Sequence, residues 1–400
     1  MDRQKELWLW LTAIAAVSAY KITALLDRFD SVESIYEADE EAYRASGILS
    51  EREIQLLCRK SLAPVSRLVQ YVADCGATML FYDDEAFPAA LRQCSVPPYV
   101  LYAKGQTSTL NHLFSISVVG ARVCSAYGIS AARRICSDLA KNDVTIVSGM
   151  AAGIDTAAHR AAIDAGGKTI AFLGCGIDIA YPKENRALMD EIAENGVVLT
   201  EFAPGTRPYG SHFPQRNRLI AAFSAGTLVC EAQEKSGSLI TADCALQMGK
   251  TVFALPGDID RKSCMGCNRL IREGAAILVC GADDILQQYG RQLHKQEGTA
   301  KDRNREKHRP DQPDAGSDTK EANSNKEIRE PISISDARFA GLDDLHKKVI
   351  APLLNAEHVH IDSICRSSGL TSAAVSTALT MLELSGYIRR EAGQMFSLII

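Results

Sequence analysis

Between residues 78 and 281, short apolar runs alternate with helical patterns, and this alternation constrains the fold more than any other feature. Strands are predicted at 116–119, 145–147, 169–173, 197–200, 227–230, 252–255 and 277–279. Helices are predicted near 127–141, 156–165, 183–195, 238–248 and 268–273. Alternation at this spacing predicts an α/β domain with a doubly wound, mostly parallel sheet. Such a sheet binds its ligand beyond the carboxyl ends of its strands.

The segments on either side of this domain have different patterns. Residues 1–75 show helical periodicity and predict a small helical domain, either a SAM-like or helix-hairpin-helix unit or a simple packing domain. The sheet domain is assigned to residues 76–290. Residues 291–336 include a stretch, 298–327, without any large apolar side chain, which predicts a disordered linker. Residues 337–400 show a helix, a helix-turn-helix and a hairpin, the pattern of a winged helix.

The composition of the chain indicates in which compartment the protein works and which partners it can bind. The net charge of −5 and the pI near 6.0 give no overall basic signal, so any nucleic-acid binding has to come from a local patch. Twelve cysteines at irregular spacing predict a reducing, cytoplasmic location. The apolar run from Trp8 to Tyr20 continues at helical spacing and predicts a buried helix, and no stretch is long enough for a membrane span.

Small and basic residues gather in segments that follow the predicted strands, and we expect these segments to be loops facing one groove. Four of the residues are cations: Arg122, Lys183, Arg216 and Arg218. Others are small or amide-bearing, namely Gly120, Ser148, Gly149, Gly153, Asn185, Asn217, Ser236, Gly237 and Ser238. Backbone amides and arginine forks bind phosphates without reading bases, and Phe213 and Tyr181 offer stacking surfaces. The alternatives are solvated surface charges for the cations and core packing for the aromatic rings.

Cofactor and metal chemistry find little support. The G-x-G-x-x-G spacing of a dinucleotide site is missing after Gly120, and the chain contains no P-loop motif. Cys264 and Cys267 form the only C-x-x-C pair, whereas a zinc site needs a second one. Asp155 and His159, four residues apart on a predicted helix, are either structural or an acid/base pair. We therefore predict no cofactor and no metal.

Several segments in this order resemble the DNA-processing protein A (DprA/Smf) family. They are Val118 to Arg122, Ser148 to Asp155 with His159, Tyr181 to Lys183 with Asn185, Phe213 to Arg218, and Glu231-Ala232 with Ser236 to Ala242. The resemblance implies an extended Rossmann fold that binds single-stranded DNA without sequence preference and without catalysis. It also implies a homodimer that loads the RecA recombinase during natural transformation, with SAM-like and winged-helix domains in some members.

Carried onto this chain, the resemblance makes Arg122, Lys183, Arg216 and Arg218 the phosphate-binding cations. Two departures from the family pattern predict a lower affinity for single-stranded DNA. Ala121 stands where a serine often precedes the arginine, and Gly210-Ser211 stands where some relatives have a lysine.

Two rival functions remain. The first is a nucleoside-monophosphate phosphoribohydrolase of related fold, with Glu231 as its carboxylate, although the spacing from Thr227 to Glu231 is one residue too long for that motif. The second is a winged-helix regulator, which the absence of Lys and Arg from the helix predicted at 371–385 disfavours. A surface for self-association or recombinase docking is predicted at Leu270, Ile271 and Ile277.

Overall fold

The computed structural model describes residues 1–290 and 342–399, except 355–358, 386 and 392–394. The chain divides into two compact units, Met1–Arg309 and Pro310–Ile400, and each is described by itself. The linker predicted at 291–336 lies outside the described residues.

A nine-stranded sheet forms the centre of the first unit. Its strands are β1 (Thr78–Phe81), β2 (Val100–Gly105), β3 (Ser115–Val119), β4 (Thr145–Ser148), β5 (Thr169–Phe172), β6 (Val197–Thr200), β7 (Gly226–Val229), β8 (Thr251–Ala254) and β9 (Ile277–Leu278). Their order is β1-β2-β6-β5-β4-β3-β7-β8-β9. All neighbours from β6 to β9 pair in parallel, which confirms the mostly parallel sheet. The antiparallel strands β1 and β2 were not predicted, because only one short helical turn, Ala89–Arg92, lies between them and the regular alternation is absent there.

Helices cover both faces of this sheet. They are α7 (Ala89–Arg92), α8 (Ala126–Lys141), α9 (Ile154–Asp164), α10 (Arg186–Asn195), α11 (His212–Phe223), α12 (Gly237–Gln247), α13 (Met265–Arg272) and α14 (282–290). The expectation that Arg216, Asn217 and Arg218 lie in a loop was wrong, because they belong to α11, which begins at His212. Pro214 is tolerated there because it lies in the first turn, where a backbone N–H has no partner within the helix.

Helices make up the amino-terminal segment. They are α1 (Arg3–Leu9), a π-helix (Trp10–Ile14), α2 (Ala19–Phe29), α3 (Val32–Glu37), α4 (Glu40–Ser46), α5 (Glu51–Cys58) and α6 (Ala63–Asp74). Trp10 is 1% exposed, and the ring of Trp8 stacks on Tyr99, with 4.9 Å between the centroids. The segment therefore shares one hydrophobic core with the sheet. None of the helices seen in 1–290 and 342–399 combines the length and the apolar character needed to cross a bilayer.

The second unit is a winged helix, as predicted. Its elements are α15 (Asp344–Ile350), a 3-10 turn (Ala351–Leu353), β10 (Val359–His360), α16 (Ile361–Ser368), α17 (Ser372–Leu384), β11 (Ile388–Glu391) and β12 (Met395–Leu398). The three strands form an antiparallel sheet in the order β10-β12-β11. Val349, Ile364, Val375, Leu382 and Phe396 are among the side chains of its core.

Candidate nucleic-acid interface

A cavity of about 350 Å³ lies beside β3, at the point where the strand order of the sheet reverses. After β3 the chain passes to β4 on one side, and it later returns to β7 on the other side. A doubly wound sheet binds ligands at this point because the connections diverge and leave a crevice. The lining residues are 119–123, Ala151, Asp155, Phe213, Pro214, Arg216, Asn217, Ile220, Gln233, 236–238, Ile240 and Thr241. We call this space the first cavity.

Arg122 provides an exposed positive charge at the first cavity. Its guanidinium carbon lies 4.9 Å from the centroid of the Phe213 ring. Within the described part of the chain, its side chain forms no hydrogen bond or ion pair. The loop that carries it packs closely on Gly153, where an added Cβ would come within 2.4 Å of the Ala121 carbonyl oxygen. The guanidinium is thus held beside an aromatic ring with its donors available to an anion.

Arg216 provides a second, buried positive charge. It is 3% exposed and donates hydrogen bonds to the carbonyl oxygens of Gly149, at 2.6 Å, and Phe172. Burial lowers the pKa of this guanidinium to about 10, while nearby Asp155 acts in the opposite direction. A Cβ on Gly149 would come within 2.3 Å of Arg216 Nη1, which explains the glycine. Arg216 is therefore a rigidly held cation in the cavity wall.

Asp155 balances part of that charge from the first turn of α9. Its Oδ2 accepts hydrogen bonds from the backbone N–H of Gly149, at 3.1 Å, and of Ala151, at 3.3 Å. Burial raises the pKa of this carboxyl, against the influence of Arg216. Ser148, which precedes the loop, donates from Oγ to the Val118 carbonyl at 2.6 Å and does not line the cavity. Asp155 and Ser148 thus hold the loop that Arg216 contacts.

The amino terminus of α12 forms the opposite wall. Ser236 caps this helix, because its Oγ accepts from the backbone N–H of Ser238 at 3.4 Å. Gly237 has open space at its Cα, and its carbonyl accepts from Asn217 Nδ2 at 3.2 Å. Free N–H groups at a helix amino terminus attract anions. Gln233, which also lines the cavity, was missed from the sequence because no glycine or cation marks it.

Aromatic rings extend this surface. The Tyr181 and Phe213 rings lie 5.4 Å apart, and Phe213 also lies 5.9 Å from the guanidinium carbon of Arg216. Tyr181 is 38% exposed. Cations and rings therefore adjoin one another, as in sites that bind a nucleic-acid strand through phosphates and stacked bases.

Not every predicted site residue reaches the first cavity. Arg218 is 4% exposed and forms an ion pair with Glu201, because two positions along a helix turn a side chain to nearly the opposite face from Arg216. The expectation that all four cations face one groove was therefore wrong for Arg218. Asn185 is buried and donates to the Met150 carbonyl at 2.9 Å, so it holds a loop. Lys183 is exposed and lies outside the cavity lining.

The groups considered for catalysis lie in the core. Glu231 is 1% exposed, accepts from the backbone N–H and the hydroxyl of Ser125 at 3.0 Å and 2.9 Å, and does not line the first cavity. His159 is fully buried, with Nδ1 at 2.6 Å from Thr169 Oγ1. Burial, with a smaller contribution from Arg216, lowers the His159 pKa to about 3. These contacts are structural.

Of the residues singled out around α13, some are buried and others are exposed. Cys264 and Cys267 are buried, and the Cys267 thiol donates to the Val229 carbonyl at 3.6 Å. Leu270 is also buried at 4% exposure, so it offers no surface to a partner. Ile271 is half-buried against the core. Ile277, in the edge strand β9, is 43% exposed.

Comparison with known proteins agrees with this geometry. The sequence profile of the family described as DNA recombination-mediator protein A matches residues 78–290, and that of the DprA winged helix domain matches residues 335–394. The chain belongs to the DNA recombination-mediator protein A (DprA/Smf) family. This confirms the resemblance seen in the motifs.

Named relatives cover much or all of this DprA/Smf chain. Protein Smf from Synechocystis is 30% identical over 99% of both chains. DNA processing protein DprA from Streptococcus pneumoniae is 44% identical over 51% of this chain and 72% of its own length. The X-ray structure of the DprA protein from that organism aligns with a TM-score of 0.63 at 35% identity, covering 72% of this chain and 98% of the other.

Proposed function

We propose that this DprA/Smf protein binds single-stranded DNA at the first cavity without sequence preference and without catalysis. One observation carries the proposal: Arg122 presents an unpaired guanidinium beside Phe213, in the same cavity as Arg216 and the amino terminus of α12. Phosphate contacts from arginines and backbone amides carry no base information. In this proposal the bound strand is protected and passed to the RecA recombinase during natural transformation and recombination.

Non-catalytic binding is supported by the position of Glu231. Because its carboxylate is occupied by Ser125 and does not line the first cavity, the rival phosphoribohydrolase would lack its catalytic acid there. Incubation with nucleoside monophosphates should release no free base. Base release that depends on Glu231 would favour the rival enzyme.

Binding is tested with single- and double-stranded oligonucleotides of several sequences, in fluorescence anisotropy at increasing salt. With Arg218 paired to Glu201, three candidate cations remain: Arg122 and Arg216 at the first cavity, and the exposed Lys183 outside its lining. Log K should therefore fall against log salt with a slope of about −2, from roughly −0.7 per phosphate. A slope near zero, or equal affinity for duplexes, would contradict the proposal.

We also propose that the edge of the sheet at β9 supports a homodimer and recombinase docking, through Ile277 and the half-buried Ile271. An exposed apolar edge strand presents unpaired backbone N–H and C=O groups and apolar side chains, and a partner can bind to both. Ile277→Glu should give a monomer in light scattering with an unchanged melting temperature. Thr78→Glu, at an exposed position of β1 on the opposite edge, is the matched control and should stay dimeric. A dimeric Ile277→Glu protein would refute this surface.

We place the protein in the cytoplasm. All twelve cysteines carry free thiols, and a reducing compartment maintains that state. Cell fractionation with an antibody to the chain tests this placement.

A further inference from the structure

The chain between β6 and α11 carries aromatic and basic side chains that the proposed strand site does not use. This stretch, residues 201–211, is called the β6–α11 segment. Because β6 is parallel to β5, β4 and β3, the segment emerges at the same carboxyl edge of the sheet as the first cavity. β6 lies three strands from β3, a distance of about 14 Å at about 4.8 Å between neighbouring strands. The segment therefore continues the edge on which the first cavity lies.

Arg207 provides an exposed positive charge on the β6–α11 segment. Among the residues that the structure describes, none forms a hydrogen bond or an ion pair with its side chain. Its backbone carbonyl accepts from the N–H of Tyr209 at 2.9 Å, which holds the two residues close together. An exposed guanidinium without a partner keeps its N–H donors available to a phosphate.

Three aromatic side chains pack on one another beside Arg207. The rings of Phe202 and His212 are stacked, with centroids 4.2 Å apart and an interplanar angle of 16°. The Tyr209 ring meets the His212 ring at a right angle, with 5.4 Å between the centroids. Tyr209 is nevertheless 58% exposed. It is therefore an exposed ring with a fixed neighbour, and much of its surface is free to stack on a base.

Gly174, in the loop after β5, joins these rings to the first cavity. Its carbonyl oxygen lies 3.3 Å from His212 Nδ1. A Cβ on Gly174 would come within 2.9 Å of Phe213 Cδ1, so the Phe213 ring packs directly on this glycine. Phe213 lines the first cavity. The rings of the first cavity and those of the β6–α11 segment are thus held by the same residue.

The loop after β5 also fixes the backbone of the β6–α11 segment. The N–H of Gly205 donates to Asp178 Oδ1 at 2.8 Å, and the N–H of Gly176 donates to the Thr206 carbonyl at 2.9 Å. Tyr71 of α6 donates its hydroxyl to Asp178 Oδ2 at 3.1 Å. A segment that is already ordered loses little conformational freedom when a ligand binds, so its contacts contribute more to the affinity.

We propose that the β6–α11 segment extends the strand site, with Arg207 bound to a phosphate and Tyr209 stacked on a base of the nucleotides beyond the first cavity. The inference rests on the proposed function, because its ligand is the same single strand. A free guanidinium close to an exposed ring suits a single strand, in which phosphates and bases alternate. Neither contact reads the edge of a base, so the extension accepts any sequence.

The phosphate contact is tested with the full-length protein and the oligomer dT20 in fluorescence anisotropy. Arg207→Ala should lower the affinity about five-fold, because one charge-assisted contact is lost. Arg207 should add roughly 0.7 to the salt slope expected from the three cations above, and the variant should lose this increment. Arg133→Ala, at an exposed position of α8, is the matched control and should bind as the wild type does. Both variants should keep the wild-type melting temperature, because both side chains are exposed.

The stacking contact is tested in the same titration. Tyr209→Ala should lower the affinity for dT20 about five-fold or more, whereas Tyr209→Phe keeps the ring and should bind as the wild type does. Oligo(dT) strands of increasing length then separate an extension from a single compact site. The wild-type affinity should rise until the strand covers both the first cavity and the β6–α11 segment. In a protein with both Arg207→Ala and Tyr209→Ala, the affinity should stop rising at a shorter strand length.

The two proposals fail in different ways. If Arg122→Ala weakens dT20 binding while Arg207→Ala and Tyr209→Ala bind as the wild type does, the first cavity is supported and the extension is overturned. A double variant whose affinity stops rising at the wild-type strand length also overturns the extension, because the strand then does not reach the β6–α11 segment. If the wild type does not bind dT20, the proposed function fails and the extension fails with it.

Discussion

The carboxyl edge of the sheet and the winged-helix unit differ in what they offer a nucleic acid. At the sheet edge, Arg122, Arg216 and the amino terminus of α12 meet in one cavity. In the winged helix, the second helix of the helix-turn-helix, α17, contains no Lys or Arg, and its Met381 is 51% exposed. We therefore expect this fold, which is commonly linked to duplex reading, to have little attraction for phosphates here. Function has to be argued from the site and not from the fold.

The largest effect is expected at Gly153, which supports the sheet edge. Gly153→Ala should destabilise the first unit by about 3 kcal/mol, because φ is +82° and the new Cβ would meet the Ala121 carbonyl. Both tryptophans lie in this unit, so their fluorescence during urea unfolding reports on it alone. Gly210→Ala, which has open space, should change stability by about 0.5 kcal/mol or less. Equal stability of the two variants would show that the edge is not rigid.

Acid should weaken the first unit through His159. Its pKa is about 3 in the folded chain and 6.5 without the fold, so the unfolded chain binds more protons between these values. Stability therefore falls as pH falls from about 6.5, with a loss near pH 5 of about 2 kcal/mol. His159→Gln should lack this loss in tryptophan-monitored unfolding. His346→Gln, in the winged helix, should leave this pH dependence of tryptophan-monitored unfolding unchanged. If His346→Gln altered the pH dependence as His159→Gln does, the two units would not unfold independently.

Arg122→Ala should weaken the binding of every strand sequence about ten-fold, because it removes a charge-assisted phosphate contact and no base contact. The salt slope should become shallower by roughly 0.7. Arg122→Lys should restore binding only in part, since an ammonium lacks the planar fork. Arg133→Ala, an exposed arginine on α8, is the matched control in anisotropy titrations. A loss restricted to one sequence class would show that Arg122 reads bases.

The smallest effect is expected from removing the winged helix. A chain ending at Gly316, a position outside the described residues, should bind single strands within about three-fold of the full chain. From Ala337 to Ile400 basic and acidic residues balance, so this segment adds little attraction for phosphates. If most of the affinity disappears in the same titration, the comparison is reversed and the strand site belongs to the second unit.

The parallel strands and most helices of the sheet could be predicted because each shows its own periodicity in the sequence. Helix α11 was missed because Pro214 and the polar residues of its first turns look like a loop. The amino-terminal helices were predicted as residues 1–75, yet they share a core with the sheet. Helical periodicity shows that one face is buried but does not show what covers it.

The sequence by itself determined the alternation of strands and helices, the winged helix and the set of residues from which the candidate site is drawn. These follow from local patterns, because strand and helix periods are set by backbone geometry. Only the tertiary structure decided that Arg216 lines the first cavity while Arg218 is buried in an ion pair with Glu201. Two arginines in one short motif look alike along the chain. Their roles separate because the helix turns them to opposite sides and the neighbours that meet them come from distant segments.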